Sequence, residues 1–266
     1  MCLILLALNV VPRRPWLLLG NRDEFHARPS AAAQAWAEAP DVIGGRDLEA
    51  GGSWLALNRS GRFAAITNVR SGASRRGTRS RGELVATFAR GGVTPVSYAR
   101  QTAAHRAEFG PFNFVVGDRE TVACASSLRD EAWSLEQGVH VLSNGPPEVS
   151  WPKAARLRAR FLALYPGAGE PKPANPDMNL SESARPEDAA LLDLLADASQ
   201  PPDDTLPETG VPFELERLLA PIFIRGEQYG TRASTLAYAR EDGGIVLHER
   251  RFGPGGAPAG ETRIET

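Results

Sequence analysis

The sequence predicts an α+β fold built from packed layers of strands and helices. Short segments rich in Val, Ile, Phe or Trp recur between Gly, Asn or Asp residues, which is the pattern of strands in a meander. Pairs of helical patterns interrupt that series. Hydrophobic residues make up 42% and charged residues 23% of the 266 positions, as in soluble globular proteins, so we expect a single domain over 1–266.

The N-terminal residues predict a buried β-hairpin. An apolar stretch runs from Met1 to Val11, a turn follows through 12–15, and 16–20 forms the second strand. No positive side chain precedes the apolar stretch, unlike a secretory signal, so we expect a cytoplasmic protein. No run of 18 apolar residues exists, and we therefore expect no membrane-spanning helix.

The remaining elements follow from the same patterns. Strands are expected at 53–58, 63–67, 112–117, 121–126, 140–143, 234–239 and 245–250. Helices are expected at 82–90, 95–107, 151–165, 187–198 and 212–219. Five prolines within 166–186 predict an exposed loop, and the Gly- and Pro-rich residues from 253 to 266 predict a flexible tail.

Charge and composition exclude several classes of function. The formal net charge is −2, so a basic footprint for nucleic acid is missing and we expect no nucleic-acid partner. Two cysteines build neither a disulfide framework nor a four-cysteine zinc site, and the four histidines are scattered, so we expect no metal and no cofactor. Of the 30 basic residues 28 are arginine, a bias typical of a GC-rich bacterial genome; Lys153 and Lys172 are the exceptions.

Cys2 is the residue whose position indicates chemistry. If Met1 is removed, Cys2 carries a thiol and a free α-amine, whose reference pKa values are about 8.5 and about 7.7–8.0. The amine can then take the thiol proton and leave a nucleophilic thiolate without any histidine. Cys124, within an apolar strand, is expected to be inert core.

Polar residues follow the second strand of the predicted hairpin. Asn21, Arg22, Asp23 and Glu24 come directly after 16–20, and that strand should pair with the strand that Cys2 begins. Asp23 would then accept hydrogen bonds from the Cys2 amine, and Arg22 would hold the thiolate by charge. The alternative is a polar hairpin exit that faces solvent.

A series of short motifs resembles the NRDE family, the family of transport and Golgi organization protein 2. The motifs run in order from residue 1 to about 251: Met1-Cys2-Leu3-Ile4, Asn21-Arg22-Asp23-Glu24-Phe25, Arg28-Pro29, Gly52-Ser53-Trp54-Leu55, Thr67-Asn68, Ser80-Arg81-Gly82-Glu83-Leu84, Phe112-Asn113-Phe114, Leu142-Ser143-Asn144 and Tyr229-Gly230-Thr231-Arg232. The family is in turn similar to N-terminal-nucleophile hydrolases of the choloylglycine and penicillin V acylase type.

The resemblance implies a four-layer αββα N-terminal-nucleophile-hydrolase-like sandwich and a set of site residues. Cys2 matches the nucleophile, and Asp23 matches the aspartate that positions its amine. Asn68 and Asn144 match the asparagines at the oxyanion site, and Arg232 matches a late arginine near the nucleophile. The acylases show Arg-Asn-x-Asp, whereas this chain has Gly20-Asn21-Arg22-Asp23, so Arg22 occupies the x position.

Other residues are candidates for substrate binding. Trp54 and Trp151 would wall an apolar acyl pocket, or else belong to the core. A basic cluster follows Asn68 and comprises Arg70, Arg75, Arg76, Arg79 and Arg81. It is either a solvated loop or a lid for carboxylates or phosphates, in which Arg70 and Arg81 would bind substrate.

We expect an amidohydrolase-like protein that acts on a small acyl amide or thioester. The alternative is a non-catalytic protein on the same fold that binds and moves haem, an acyl lipid or coenzyme A. In that alternative Cys2 would be the axial ligand of a haem and the basic cluster would hold its propionates. The oligomeric state and the substrate stay open.

Overall fold

The computed structural model describes residues 3–72, 77–168 and 187–266. Cys2, Arg75, Arg76 and most of the Pro-rich segment 166–186 lie outside the described residues. The N-terminal hairpin is confirmed: strand β1 (Leu3–Val11) pairs antiparallel with strand β2 (Arg14–Phe25). The turn places Arg13 at a positive φ of 61°, as tight hairpin turns require.

The other elements lie mostly where the sequence places them. The remaining strands are β3 (Ser30–Trp36), β4 (Ala39–Asp47), β5 (Leu55–Asn58), β6 (Phe63–Asn68), β7 (Phe112–Gly117), β8 (Val122–Ser126), β9 (Trp133–Leu135), β10 (Gly138–Leu142), β11 (Tyr229–Ala239), β12 (Ile245–Phe252) and β13 (Pro258–Glu265). The helices are α1 (Arg81–Arg90), α2 (Pro95–Ala104), α3 (Pro152–Leu164), α4 (Asp188–Leu194) and α5 (Phe213–Leu218).

Local chemistry explains where two of the helices begin. The Ser80 side chain accepts from the backbone N–H of Gly82 at the start of α1, and the Thr94 side chain accepts from that of Ser97 in the first turn of α2. Pro95 and Pro152 occupy the first helical position of α2 and α3, where a missing N–H costs nothing.

The strands form two antiparallel sheets. Among the described residues, the first sheet has six strands in the order β10-β1-β2-β11-β12-β13, and the second has seven in the order β3-β4-β5-β6-β7-β8-β9. The second sheet follows chain order throughout, which is the meander that the sequence predicts. In the first sheet the N-terminal hairpin lies between β10 and β11, far along the chain.

Alternation along the strands divides the apolar side chains into three clusters. Leu3, Leu5 and Ala7 of β1 join a cluster with α3 and α4 on the outer face of the first sheet. Ile4, Leu6 and Leu8 join a cluster between the two sheets. A third cluster packs α1 and α2 on the outer face of the second sheet. The layers are therefore helix, sheet, sheet and helix, and the predicted αββα sandwich is confirmed.

Three features differ from the sequence expectations. β2 continues to Phe25, so Asn21 to Glu24 lie inside the strand rather than at a hairpin exit. β3, β4 and β9 were not expected, because their segments are short, alanine-rich or lack alternation. The prediction of a flexible tail over 253–266 is wrong for its second half: β13 pairs with β12, because backbone hydrogen bonding overrides its Gly- and Pro-rich start.

No helix within the described ranges combines the length and the apolarity that a bilayer crossing requires. The single-domain organisation stays a prediction.

Candidate active site at one edge of the two sheets

Four neighbouring strands of the first sheet carry the predicted site residues at one end. We call this end, where β1 begins, the edge of the sheet. Leu142, at the end of β10, pairs with Ile4, and Leu3 at the start of β1 pairs with Asn21 of β2. Asn21 in turn pairs with Ser234 of β11. Neighbouring strands lie about 4.8 Å apart. The chain segments that carry Asn144, Asp23 and Arg232 therefore lie side by side at this end of the sheet.

Alternation along β2 decides which way its polar residues point. Trp16 and Leu18 contribute to the cluster between the sheets, whereas Leu17 and Leu19 face α3 and α4. Arg22 continues the inner series, and Asn21 and Asp23 continue the outer one. All three are at most 4% exposed, so this polar segment is buried on both faces.

Asp23 is fixed by a neighbour on β11. Thr231 pairs with Asp23 across the strands, and its hydroxyl donates to Oδ1 of Asp23 at 2.7 Å. The same hydroxyl oxygen accepts from the backbone N–H of Ile224 at 2.9 Å. The carboxylate of Asp23 is thus held at the edge where β1 begins.

Arg22 lies over an indole ring between the two sheets. Its guanidinium carbon is 4.2 Å from the centre of the Trp54 ring, a cation–π contact that links the two sheets. Burial lowers the pKa of Arg22, and the nearby charge of Arg232 lowers it further against the attraction of Glu24. The structure therefore brings two of the predicted site residues, Arg22 and Trp54, into direct contact.

Arg232 occupies a β-bulge. The register passes from Thr231 opposite Asp23 to Ala233 opposite Arg22, so Arg232 has no residue opposite it on β2. A bulge redirects the side chain that it carries. One guanidinium nitrogen of Arg232 donates to the carbonyls of Phe25, at 3.4 Å, and of Arg28.

Asn68 and Asn144 meet at the same edge. Nδ2 of Asn144 donates to the backbone oxygen of Asn68 at 2.8 Å and to its Oδ1 at 3.2 Å. Asn68 ends β6 of the second sheet, while Asn144 follows β10 of the first. The pair therefore joins the two sheets, and the Asn144 amide hydrogens face Asn68.

Buried polar groups hold the Asn144 segment in place. The Thr67 hydroxyl donates to the carbonyl of Ser143 at 2.8 Å, and Nδ2 of Asn113 donates to the carbonyls of Ser143 and Gly145 at 3.0 and 2.8 Å. A Cβ on Gly145 would lie 2.6 Å from the Trp151 ring, so the chain approaches that ring closely.

Lys153 is a site residue that the sequence reasoning missed. Its Nζ donates to Oδ1 of Asn144 at 3.1 Å and to the carbonyl of Leu219 at 3.3 Å, and the residue is only 4% exposed. The available signal was its type, because Lys153 is one of two lysines among 30 basic residues. Lysine is a compact charge, whereas arginine presents a wide fork that does not replace it in a tight site.

The basic cluster after Asn68 is only partly brought to this edge. Arg70 donates to Glu216 at 2.5 Å and lies 5.1 Å from the centre of the Trp151 ring, in a small cleft that Lys153 also lines. Arg81 donates to the carbonyl of Pro111 at 2.9 Å. A role of Arg70 and Arg81 in binding substrate stays a prediction.

The two cysteines differ in what the structure describes. Cys124 is fully buried in β8 between the sheets, which confirms its place in the core, and burial strongly raises the pKa of its thiol. Cys2 is bonded directly to Leu3 but lies outside the described residues. Within the described ranges, no three His, Cys, Asp or Glu side chains converge as a metal site requires.

The whole order of motifs corresponds to one family of proteins. The family model described as Transport and Golgi organisation 2 matches residues 1–254. The chain belongs to this family. The Transport and Golgi organization protein 2 homolog of Bos taurus is 31% identical over 249 residues, covering 88% of this chain and 85% of that protein. The Homo sapiens homolog is 31% identical over the same length and coverage.

A more distant relative and two solved structures are also similar. Transport and Golgi organization protein 2 of Drosophila melanogaster is 29% identical over 170 residues, covering 58% of this chain and 60% of that protein. A mutant conjugated bile acid hydrolase from Clostridium perfringens is 11% identical, with a TM-score of 0.46, covering 100% of this chain and 92% of the other. A Caenorhabditis elegans ortholog of N-acylethanolamine-hydrolyzing acid amidase is 10% identical, with a TM-score of 0.42, covering 88% and 92%.

Proposed function

We propose that the chain is an N-terminal-cysteine amidohydrolase that acts on a small acyl amide or thioester after removal of Met1. The α-amine of Cys2 takes the thiol proton, and the thiolate sulfur bonds to the acyl carbon. The tetrahedral intermediate collapses as the ammonium returns its proton to the leaving amine or thiol. Water then attacks the thioester, which releases the carboxylic acid and restores the thiol.

One observation carries the proposal. Leu3, the residue bonded to Cys2, pairs with Asn21, and a buried carboxylate and two arginines lie within the next few residues of the neighbouring strands. Asp23, at 4% exposure, supplies an acceptor for an α-ammonium, and its bond from Thr231 fixes its direction. Burying charged groups beside the start of β1 costs free energy of folding, and such groups cluster at functional sites.

Asn68 and Asn144 supply the oxyanion site in this proposal. An amide donor aimed at a developing oxyanion is worth about 3–4 kcal/mol in the barrier. Nδ2 of Asn144 donates to Asn68, so the oxyanion would take the place of one of these two acceptors when substrate binds. Lys153 holds Oδ1 of Asn144 and so keeps the amide hydrogens directed away from α3.

The second candidate is a protein that binds an acyl lipid, coenzyme A or haem without reacting with it. The contact between Asn144 and Asn68 favours it, because both amide hydrogens have acceptors within the protein. In this candidate Cys2 serves as the axial ligand of a haem. The test is a haem titration. A shifted Soret band that is lost in Cys2→Ala supports this candidate, and a band that is unchanged in Cys2→Ala contradicts the assignment of Cys2 as the axial ligand.

The test combines intact mass with turnover. The mass of the purified protein should be lower than the encoded mass by one methionine. A panel of acyl amides and thioesters should be hydrolysed by the wild type and by Cys124→Ser but not by Cys2→Ala. Asp23→Asn should lower turnover and shift the pH profile, because the amine loses a charged acceptor. A protein that retains Met1, or full turnover in Cys2→Ala, would contradict this mechanism.

A further inference from the structure

The most unusual group between the sheets is the guanidinium of Arg22. The residue is only 3% exposed, and within the described part of the chain its guanidinium makes no hydrogen bond or ion pair. Trp54 covers one face of the group at 4.2 Å, but a ring face does not satisfy the N–H donors at the edge. No Arg22 nitrogen is among the described side-chain atoms that are both shielded from solvent and without a hydrogen-bond partner, so water or a ligand reaches its N–H donors.

The acids around Arg22 are engaged by other arginines. Asp47 accepts from Arg28 at 2.9 Å, and Glu24 lies 3.8 Å from the same guanidinium. Glu249, which is 2% exposed on β12, accepts from the backbone N–H of Ala33 at 3.0 Å. Arg251 is its ion-pair partner at 3.5 Å. The protein therefore places acids near Arg22 but commits their hydrogen bonds elsewhere.

Arg232 adds a second incompletely satisfied cation beside Arg22. Its Nε is buried and has no hydrogen-bond partner, while its Nη1 is engaged with two backbone carbonyls. Arg232 directly precedes Ala233, the residue that pairs with Arg22. The nearby charge of Arg232 lowers the pKa of Arg22, and a bound anion would offset the repulsion between these two guanidinium groups on adjacent strands.

We propose that Arg22 and Arg232 form a subsite for a carboxylate group of the ligand. Because Trp54 covers a face of Arg22, the N–H donors left available lie in the plane of the guanidinium. A carboxylate is planar and accepts two parallel N–H bonds in that plane. The ligand is then an acyl compound with a carboxylate. This inference deepens the proposed function by naming a group on the substrate.

The test is a binding measurement that needs no turnover. Full-length Cys2→Ala protein is titrated by calorimetry with hexanoate and with hexanamide, which differ only in the charged group. We expect hexanoate to bind at least about 10-fold more tightly, and Arg22→Met to weaken hexanoate about 10- to 100-fold while leaving hexanamide unchanged. Arg232→Met should weaken hexanoate in the same direction.

The matched control is Arg62→Met. Arg62 also stacks on a ring, with 4.0 Å between its guanidinium carbon and the centre of Phe88, but it lies in the turn between β5 and β6 and donates to the carbonyls of Phe88 and Val93. Its loss should leave hexanoate affinity unchanged. If Arg22→Met does not fold, Arg22→Lys tests the same group, because a lysine keeps the charge but loses the fork and should still weaken hexanoate.

Three results would overturn the subsite. The first is equal affinity for hexanoate and hexanamide, and the second is a loss of hexanoate affinity in Arg62→Met as large as that in Arg22→Met. Hexanoate binding lost in Asn68→Ala but kept in Arg22→Met would place the carboxylate at the oxyanion site instead. The binding test does not depend on catalysis, because Cys2→Ala forms no acyl-enzyme. If the wild type is inactive but Cys2→Ala binds hexanoate as expected, the catalytic proposal is contradicted and the subsite is not.

Discussion

Asn21, the first residue of the Asn-Arg-Asp-Glu motif, is predicted to stabilise the fold rather than to take part in chemistry. It is fully buried, and Nδ2 donates to the carbonyls of Leu195 and Ile222 at 2.9 and 2.7 Å. Its Oδ1 accepts from the Ser234 hydroxyl at 2.7 Å. This one side chain therefore ties the end of α4 and the segment before β11 to the edge that carries the site.

Asn21→Ala removes three buried hydrogen bonds and leaves two carbonyls without donors. At about 1–3 kcal/mol for each of the two unsatisfied carbonyls, and with the Ser234 hydroxyl free to rotate, we expect a loss of about 2–6 kcal/mol in the free energy of unfolding. For a chain of this size that corresponds to about 10 °C in the melting temperature. Urea unfolding followed by circular dichroism measures the loss.

Asn58→Ala is the matched control for Asn21→Ala. Asn58 is half-buried at the turn after β5, where Nδ2 donates to the Ala89 carbonyl at 2.9 Å and Oδ1 accepts from the Ser60 N–H at 2.9 Å. Water can replace both partners, so a cost of about 1 kcal/mol is expected. Equal losses in the two variants would refute the assignment of Asn21 as a buried clamp.

The remaining predictions concern charge, packing and the core thiol. Burial alone would raise the pKa of Asp197, but hydrogen bonds from Ser199 and from Arg156 and Arg160 of α3 hold it well below its ordinary value. The stability that this carboxylate contributes is present above its pKa in the unfolded chain and is lost as the pH falls through its pKa in the folded protein. Asp197→Asn should therefore be less stable than the wild type at pH 7 by about 1–2 kcal/mol, and the difference in urea midpoints should shrink between pH 5 and pH 2. A difference that stays constant with pH would contradict this prediction. Gly145→Ala should displace the Trp151 ring and change tryptophan fluorescence, whereas Gly92→Ala, with open space around its Cβ, should not. Cys124 should react with a thiol reagent only after unfolding, and rapid reaction in the native protein would contradict its burial.

Much of the fold is readable from the sequence because its strongest signals are local. β7 lies where the apolar run 112–117 places it, and the N-terminal hairpin follows from an apolar run broken by Pro12. β13 was not expected because its stability comes from pairing with β12, and no local sequence pattern indicates that pairing. The layer order came from the family resemblance, and alternation in β1 then distributes its side chains between two clusters.

The site is readable only in part, because contacts between distant segments decide it. A polar run after an apolar strand indicates Asp23, but only the bulge in β11 explains how Arg232 is presented beside it. Lys153 is the opposite case: its type was unusual for this chain, but its meaning depends on a contact with Asn144 that no spacing predicts.

The central claim is that Cys2, with a free α-amine, is the nucleophile. The most direct measurement is labelling of the native protein with a thiol-reactive acyl probe, followed by mass mapping of the modified peptide. We expect one label on Cys2 of a chain that has lost Met1, slower labelling in Asp23→Asn, and no label on Cys124. A chain that retains Met1, or native labelling confined to Cys124, would contradict it.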